Sequence, residues 1–411
     1  MTANPLQDKT VLLGVSGSIA AYKAADLASR LTQAGAKVDV VLTQSALEFV
    51  TPLTFQSVTG RRAYSDADMW SGEGHVVHIG LGRSAELYII APATANVIAK
   101  LAHGIADNLL SVAVLAAHCP LLLAPAMDAG MYSHPATQAN VEILRGRGVT
   151  FVGPAAGHLA SGLVGVGRMA EPDEIIGQAR YQMAQGGPLA GKKVVVTAGP
   201  TQEPIDPVRA IVNRSSGKQG YALAQAALDA GAQVTLISGP SHLGAPVGAV
   251  RRDVTTAADM LQAVLEETSV ADALIMAAAV ADFRPAAVSH DKLKKEAGVP
   301  EIRLEATTDI LAEVARQRAS TGFPRVSVGF AAESRDLLAN ARSKLERKGL
   351  DLIVANDITA SDAGFAVDTN RVVLLPARGE TEELPLLSKE EVARQVIERV
   401  VRLLSNLSLT N

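Results

Sequence analysis

Two patterns alternate along the chain. Short runs of β-branched and aliphatic residues are separated by longer stretches in which apolar residues recur every three or four positions. Residues 11–17 (VLLGVSG) read as a buried strand running into a Gly-containing turn. Residues 18–34 read as a helix with Ile19, Tyr22, Leu27 and Leu31 facing the core. The segments 37–42, 86–91, 121–124 and 149–152 continue a parallel set, and strands alternating with helices predict a doubly wound sheet. A helical pattern over 173–185 then meets Gly186, Gly187 and Pro188, which mark a domain boundary. Beyond it the alternation resumes, with strands at 194–197, 233–238, 273–278, 326–330 and 352–355. Helices are predicted over 221–230, 257–267, 337–348 and 389–404, and a hairpin-like pair around 372–375 and 382–385. The fold class is α/β, with two doubly wound, Rossmann-like domains at residues 1–188 and 189–411.

The longest interruption of the second pattern is 197–220 (TAGPTQEPIDPVRAIVNRSSGKQG), far longer than a βα connection of roughly 2–6 residues. It lies where open α/β sheets bind ligands, beyond the carboxyl end of a strand. A helix predicted to begin near Ser215 opens with Ser215, Ser216, Gly217 and Lys218. These offer backbone amides, hydroxyls and an ammonium to a phosphate, most naturally that of a nucleotide. Lys218 is followed by Gln219, so the GK[ST] ending of a P-loop fails. In the first half, GVSGSIAAY is not a GxGxxG fingerprint, and a single phosphate at the first helix suits it better than a dinucleotide.

Composition narrows the choice of function. A formal charge of −4 and 3% aromatic residues argue against a nucleic-acid surface. No run of 18 or more apolar residues predicts a membrane span, and the polar start MTANPLQDKT lacks the apolar region of a signal peptide. One cysteine, Cys119 beside an apolar run, forms no internal disulfide and is predicted to be buried; this fits a cytoplasmic protein. Residues 157–169 (GHLASGLVGVGRM) carry few large anchors and read either as a mobile flap or as an idle surface loop. Lys292, Lys294 and Lys295 form a basic cluster that, taken alone, is a solvated surface.

The joint order of these motifs carries a resemblance. GSIAAYK, HIGLG, PATAN, PAM-x-x-x-M-Y and a flap ending GRM resemble the flavin-containing cysteine decarboxylases over about residues 9–185. DPVR-x-I-x-N-x-SSGK, AAVADF, KLKK, GFAAE and AND resemble phosphopantothenate–cysteine ligases over about residues 190–405. Together they are similar to the bifunctional proteins of coenzyme A biosynthesis.

The resemblance implies FMN in the first domain, held at Gly17, Ser18, Thr43, Thr94 and Asn96, with His78 as the catalytic histidine and His75 as a bystander. In that family FMN oxidises the thiol of 4'-phosphopantothenoylcysteine, and the thioaldehyde serves as an electron sink for loss of CO2. The electrons then return to the product, 4'-phosphopantetheine, with a proton from the flap. Two positions depart from the pattern. Asp128 stands where relatives carry an Asn that grips the substrate carboxylate, and Ser161 where they carry the proton-donating Cys. An ionised Asp128 facing a carboxylate is repulsive unless its pKa is raised or it turns to another partner. A serine hydroxyl is a far weaker acid than a thiol of pKa ~8.5.

For the second domain the resemblance implies ligation of cysteine to 4'-phosphopantothenate through an acyl-cytidylate formed from CTP, with Mg2+. Asn213 would hold the acyl intermediate, and Lys292 would ride on a lid to the triphosphate. Ser215, Ser216, Gly217, Lys218, Met276, Ala277, Ala278, Asp282, Thr308, Asp309, Ile310, Leu311 and Phe330 would contact the nucleotide. Lys344 and Lys348, four apart on one helix face, would reach the same anion. The family also implies a homo-oligomer in which trimers build a dodecamer. The alternative that the two departures leave open is an active ligase carrying a catalytically impaired flavin-binding structural or regulatory domain.

Overall fold

The computed structural model describes residues 4–70, 76–294, 300–333, 337–357 and 369–409. His75 and Lys295 lie outside them. Contacts divide the chain into two units, Asn4–Met183 and a second beginning at Ala184.

The first unit carries strands β1 (Thr10–Val15), β2 (Lys37–Leu42), β3 (Ala63–Tyr64), β4 (Leu87–Ala93), β5 (Leu121–Pro125) and β6 (Thr150–Phe151). They form one parallel sheet in the order β3-β2-β1-β4-β5-β6. Neighbouring residues of one strand serve opposite cores. Val11, Leu13, Ile89 and Ala91 join Leu27 and Leu31 of the helix Ala21–Gln33, whereas Leu12, Tyr88 and Ile90 join Leu101, Leu110 and Ala113. A sheet covered on both faces explains why its strands read as continuous apolar runs.

Several expectations need correction here. Ile19 and Tyr22 are exposed: Ile19 precedes the first helix, which starts at Ala21, and Tyr22 lies on the side of that helix away from the buried Leu27 and Leu31. Cys119 is only half-buried, at the edge of the second core. The flap segment takes part in an antiparallel hairpin of β7 (Ala155–His158) and β8 (Val164–Arg168). Gly167 makes that packing close, since a Cβ there would lie 2.2 Å from the Met127 carbonyl oxygen.

The second unit adds β9 (Lys193–Ala198), β10 (Gln202–Pro204), β11 (Ala210–Val212), β12 (Gln233–Ser238), β13 (Val250–Asp253), β14 (Ala273–Met276), β15 (Phe283–Pro285) and β16 (Leu304–Ala306). After these come β17 (Val326–Glu333), β18 (Leu352–Asp357), β19 (Thr369–Asn370), β20 (Val372–Pro376), β21 (Glu382–Glu383) and β22 (Leu387–Ser388). The main sheet runs β13-β12-β9-β14-β17-β18-β20-β21, parallel up to β18 and antiparallel beyond. Strand β13, the helix Ile310–Thr321 and the small hairpins β10–β11 and β15–β16 carry too little apolar periodicity to announce themselves. The helix expected from Ser215 begins at Lys218. Gly217, at φ 78°, is its N-cap, and that left-handed backbone cannot belong to a helix. Among the described residues, no helix is long and apolar enough to cross a membrane.

Candidate functional site

Each sheet reverses its strand order beside its first strand, between β1 and β4 in one unit and between β9 and β14 in the other. Such reversals open the crevice in which α/β sheets bind ligands. In both units a buried hydroxyl ties the crevice together. Ser16, just past β1, donates to the Pro92 carbonyl oxygen at 2.7 Å and accepts from the Thr94 amide at 3.2 Å. Thr197, in β9, accepts from the Ala277 and Ala278 amides at 3.1 Å each and points its proton at Met276 Sδ.

The first crevice is a cavity of ≈ 520 Å³ that brings together Gly17, Ser18, Thr43, Thr94 and Asn96. Thr43 caps a short 3-10 helix through its bond to the Ala46 amide, and Thr94 caps the helix Ala95–His103 through the Val97 amide. Gly17 is required by its neighbour, since a Cβ would meet Ser45 Cβ at 2.4 Å. Hydroxyls, helix-start amides and the apolar pair Ala126 and Met127 make a cradle suited to a group with a phosphate tail and a flat apolar body.

A second cavity of ≈ 390 Å³ shares Ser18, Ala126 and Met127 with the first and is lined further by Lys23, Asp128, His158, Ser161 and Arg168. The exposed Ile19 and Tyr22 line it too, which explains their place at the start of the helix. Ser161 Oγ donates to Asp128 Oδ2 at 2.7 Å, and the Gly130 amide donates to Asp128 Oδ1 at 2.9 Å. The Ser161 hydroxyl, then the Gly130 amide, hold the Asp128 carboxyl below its ordinary pKa. Of the two arrangements left open for Asp128, the geometry is that of a side chain turned to another partner, Ser161. Lys23, buried, pairs with Glu171 at 2.8 Å, and Arg168 reaches the same oxygen at 2.8 Å. His78 lines neither cavity. It sits on the helix Val77–Ser84, which packs against the helix Leu109–Ala116, and its Nδ1 is buried without a hydrogen bond.

In the second crevice, most predicted positions are linked by named bonds. Gly217 lies against Gly199, and Asn213 Nδ2 donates to the carbonyl oxygens of Ala279 and Val280 at 3.3 and 3.0 Å. The Ser215 and Ser216 hydroxyls turn back onto the Gly217 and Lys218 amides. Thr307 joins Ala281 and Asp282 to the helix start at Thr308, Asp309, Ile310 and Leu311. Lys348 Nζ pairs with Asp309 at 3.0 Å, and Lys344 Nζ donates to the Phe330 carbonyl oxygen at 3.1 Å. The two lysines thus separate onto different partners, because the helix ends at Arg347 and leaves Lys348 beyond it. Burial alone would raise the Asp309 pKa, but the bond and charge of Lys348 outweigh it and the net shift is downward. Lys292 and Lys294 are exposed, in a segment pinned through Leu293 to Asp206 and Arg209.

Sequence reasoning missed Ser16, Lys23, Thr197 and Asp206. Lys23 and Asp206 stood inside the motifs GSIAAYK and DPVR, and Thr197 at the start of 197–220, without a role of their own; Ser16 had only its place just beyond an apolar strand as a signal.

Residues 2–181 match the family described as Flavoprotein, and residues 189–404 the family described as DNA/pantothenate metabolism flavoprotein C-terminal domain. The chain is 47% identical over 401 residues to the coenzyme A biosynthesis bifunctional protein CoaBC of Bacillus subtilis, covering 97% of this chain and 98% of that one. It is 45% identical over 403 residues to the protein of the same name from Vibrio vulnificus (strain CMCP6), covering 98% and 99%. A crystal structure of the C-terminal domain of a CoaBC protein superposes with a TM-score of 0.46 at 40% identity, covering 54% of this chain and 99% of that one.

Proposed function

The chain belongs to the coenzyme A biosynthesis bifunctional proteins, and from that premise we propose how its two crevices divide the work. The protein acts in coenzyme A biosynthesis as a flavoprotein decarboxylase and a ligase. We assign ligation to residues 189–411, joining cysteine to 4'-phosphopantothenate at the cost of CTP. Decarboxylation of the resulting 4'-phosphopantothenoylcysteine to 4'-phosphopantetheine falls to residues 1–188. The observation that carries this division is the presence of a separate crevice at each sheet's reversal point, each closed by its own hydroxyl tie.

In the ligase crevice, negative charge builds on phosphate oxygens as the carboxylate of 4'-phosphopantothenate attacks the α-phosphate of CTP. Donors aimed at those oxygens lower the barrier. Ser215, Ser216, the Gly217 amide, Lys218 and Lys292 take that role. Asn213, at the exit of β11, is placed to hold the acyl-cytidylate. Met276, Ala277, Ala278, Asp282, residues 308–311 and Phe330 frame the nucleotide, and Lys344 and Lys348 fix that frame. Mg2+ would travel on the triphosphate with its own waters. Among the described residues, no three His, Cys, Asp or Glu side chains cluster as a metal cage.

FMN, when bound in the cavity at Gly17, Ser18, Thr43, Thr94 and Asn96, supplies reversible two-electron oxidation of the substrate thiol. The adjoining cavity holds the substrate. Lys23 and Arg168 offer cations to its carboxylate, and the ionised Asp128 holds the hairpin down through Ser161. We place His78 as the proton-handling histidine of a site completed by another subunit. A trimer-based homo-oligomer is proposed from the resemblance to the family alone, and a cytoplasmic setting is supported by the single cysteine.

The test supplies 4'-phosphopantothenate, CTP, Mg2+ and carboxyl-labelled cysteine, and follows pyrophosphate and labelled CO2 together. Release of both, with 4'-phosphopantetheine formed, is the expected result. Pyrophosphate alone would mean a ligase with a silent flavin domain, and release of neither product would overturn the reading.

A further inference from the structure

The side chain of Asp206 is fully buried, in the turn 205–209 that joins β10 to β11. Its Oδ1 accepts from the Val208 and Arg209 amides at 2.8 Å each, and its Oδ2 accepts from Arg209 Nε at 2.9 Å. That inventory would complete an ordinary turn. One further bond goes elsewhere: the Leu293 amide, 87 residues away in sequence, donates to Asp206 Oδ2 at 3.1 Å. Arg209 Nη2 returns the contact by donating to the Leu293 carbonyl oxygen at 2.7 Å. The Ser289 amide donates to the Ile205 carbonyl oxygen at 3.0 Å. Three bonds therefore clamp the segment 289–293 onto this turn, two of them at the residue next to Lys292.

A buried carboxylate is costly unless its lone pairs are used. Within the turn the Val208 and Arg209 amides and both Arg209 Nε and Nη2 already serve this one, and the Leu293 amide is a fifth donor that ties the segment 289–293 to it. The Arg209 guanidinium, together with the Val208, Leu293 and Arg209 amides, holds its carboxyl far below the usual carboxylate range, so it stays ionised wherever the protein is folded near neutrality. Lys292 itself is exposed and sits in a stretch with little apolar anchoring. A long ammonium-bearing side chain there loses rotamer freedom on engaging an anion, and a fixed backbone reduces what must be ordered.

We propose that Asp206 is the positioning residue for Lys292: its carboxylate, bridging the 205–209 turn to Leu293, fixes the backbone from which the Lys292 ammonium meets the phosphates of the nucleotide. This rests on the assignment of Lys292 to those phosphates. Asp206 touches no substrate and acts only through the segment it holds.

The experiment uses the full-length protein with 4'-phosphopantothenate, CTP and Mg2+ but no cysteine, and times pyrophosphate release in a single turnover. The variants are Asp206→Asn, Lys292→Gln and the two together. Asp206→Asn is expected to slow release about 100-fold at saturating CTP, the size of loss that follows a misplacement of about 1 Å. The KM for CTP should move by less than about threefold. The double variant should be no slower than Lys292→Gln by more than about twofold, since both changes remove one effect. Because the variants lie in the unit beginning at Ala184, circular dichroism and the unfolding temperature of that unit in the same samples report that each variant is folded. Losses that multiply in the double variant, or normal release by Asp206→Asn while Lys292→Gln is disabled, overturn the proposal. Normal release by Lys292→Gln overturns the assignment of Lys292 instead, and with it the proposal. Should Asp206→Asn not fold, Arg209→Lys keeps the carboxylate, shortens the arm to Leu293, and is read against Lys292→Gln in the same way.

Discussion

Ser161 Oγ donates to Asp128 Oδ2 at 2.7 Å, so the two positions at which this chain departs from the decarboxylase pattern are hydrogen-bonded to each other. A thiol at 161 would be a weak donor to that carboxylate, and an amide at 128 would be a weaker acceptor. The pair makes chemical sense together and less sense singly. It spans from the loop of the β7–β8 hairpin to the N-cap of the short helix Ala129–Ser133, across the mouth of the smaller cavity.

The pair has a pH signature. The Ser161 hydroxyl and the Gly130 amide depress the Asp128 pKa, so what the bond contributes is full above the unfolded value of about 4 and is lost as pH falls through the folded value. Between pH 5 and 8, decarboxylation by Asp128→Asn should therefore follow a profile of the same shape as the parent, at a rate lower by about tenfold. A new inflection in that window in the parent alone would contradict an ionised Asp128.

Ser161→Cys separates acid strength from anchoring. If a group other than residue 161 protonates the product, the thiol raises decarboxylation by no more than about threefold, and the weakened bond to Asp128 loosens the hairpin. Limited proteolysis within 159–163, compared with the parent, measures the loosening. A gain near 100-fold in turnover would instead identify residue 161 as the limiting proton donor.

Gly17 is set by space. A methyl group there would overlap Ser45 Cβ at 2.4 Å and crowd the Ser45 carbonyl oxygen at 2.8 Å. Gly17→Ala should displace the loop that lines the flavin cavity and cost about 1–3 kcal/mol, or roughly 10- to 100-fold in FMN affinity. Flavin absorbance retained after gel filtration reads it directly, while pyrophosphate release should stay at the parental rate.

Thr197→Val keeps the shape of β9 and removes the acceptor that two amides share. Leaving those amides unpaired should cost about 1–3 kcal/mol for each one that water cannot reach. The loss should appear as a lower unfolding temperature together with a raised KM for CTP. A shift in temperature without a change in KM would detach the 276–278 loop from nucleotide binding.

The pair of Lys348 and Asp309 tests the far side of the same crevice. Burial raises the Asp309 pKa, the bond and charge of Lys348 lower it, and the net shift is downward. Its stabilisation is therefore present above the unfolded value of about 4 and lost as pH falls through the folded value. Lys348→Met should weaken CTP binding about threefold to tenfold at pH 7, a range reduced for solvent screening because Asp309 is partly exposed. In denaturant melts its stability deficit should shrink as pH falls below 4.

What the sequence determined by itself is whatever depends on neighbours close along the chain. Segments such as 37–42 and 233–238 became strands with those same bounds, because a strand buried on both faces is legible from its β-branched and aliphatic residues even where a polar one interrupts them. Thr43 and Thr94 cap the helices that follow them, because capping is decided within three or four residues, whereas the helix expected from Ser215 starts only at Lys218. Tertiary structure decided the rest. Ile19 and Tyr22 fit a helical pattern yet line a cavity, because Ile19 precedes the helix and Tyr22 lies on its side away from Leu27 and Leu31. Lys344 and Lys348 fit one anion yet serve Phe330 and Asp309, because the helix stops between them. Ser16 reaches Pro92 across 76 residues, Thr197 reaches Ala277 across 80, and Asp206 reaches Leu293 across 87. Those bonds exist only after two segments have been brought together by sheet order, and sheet order is a property of the packed core that no local pattern encodes.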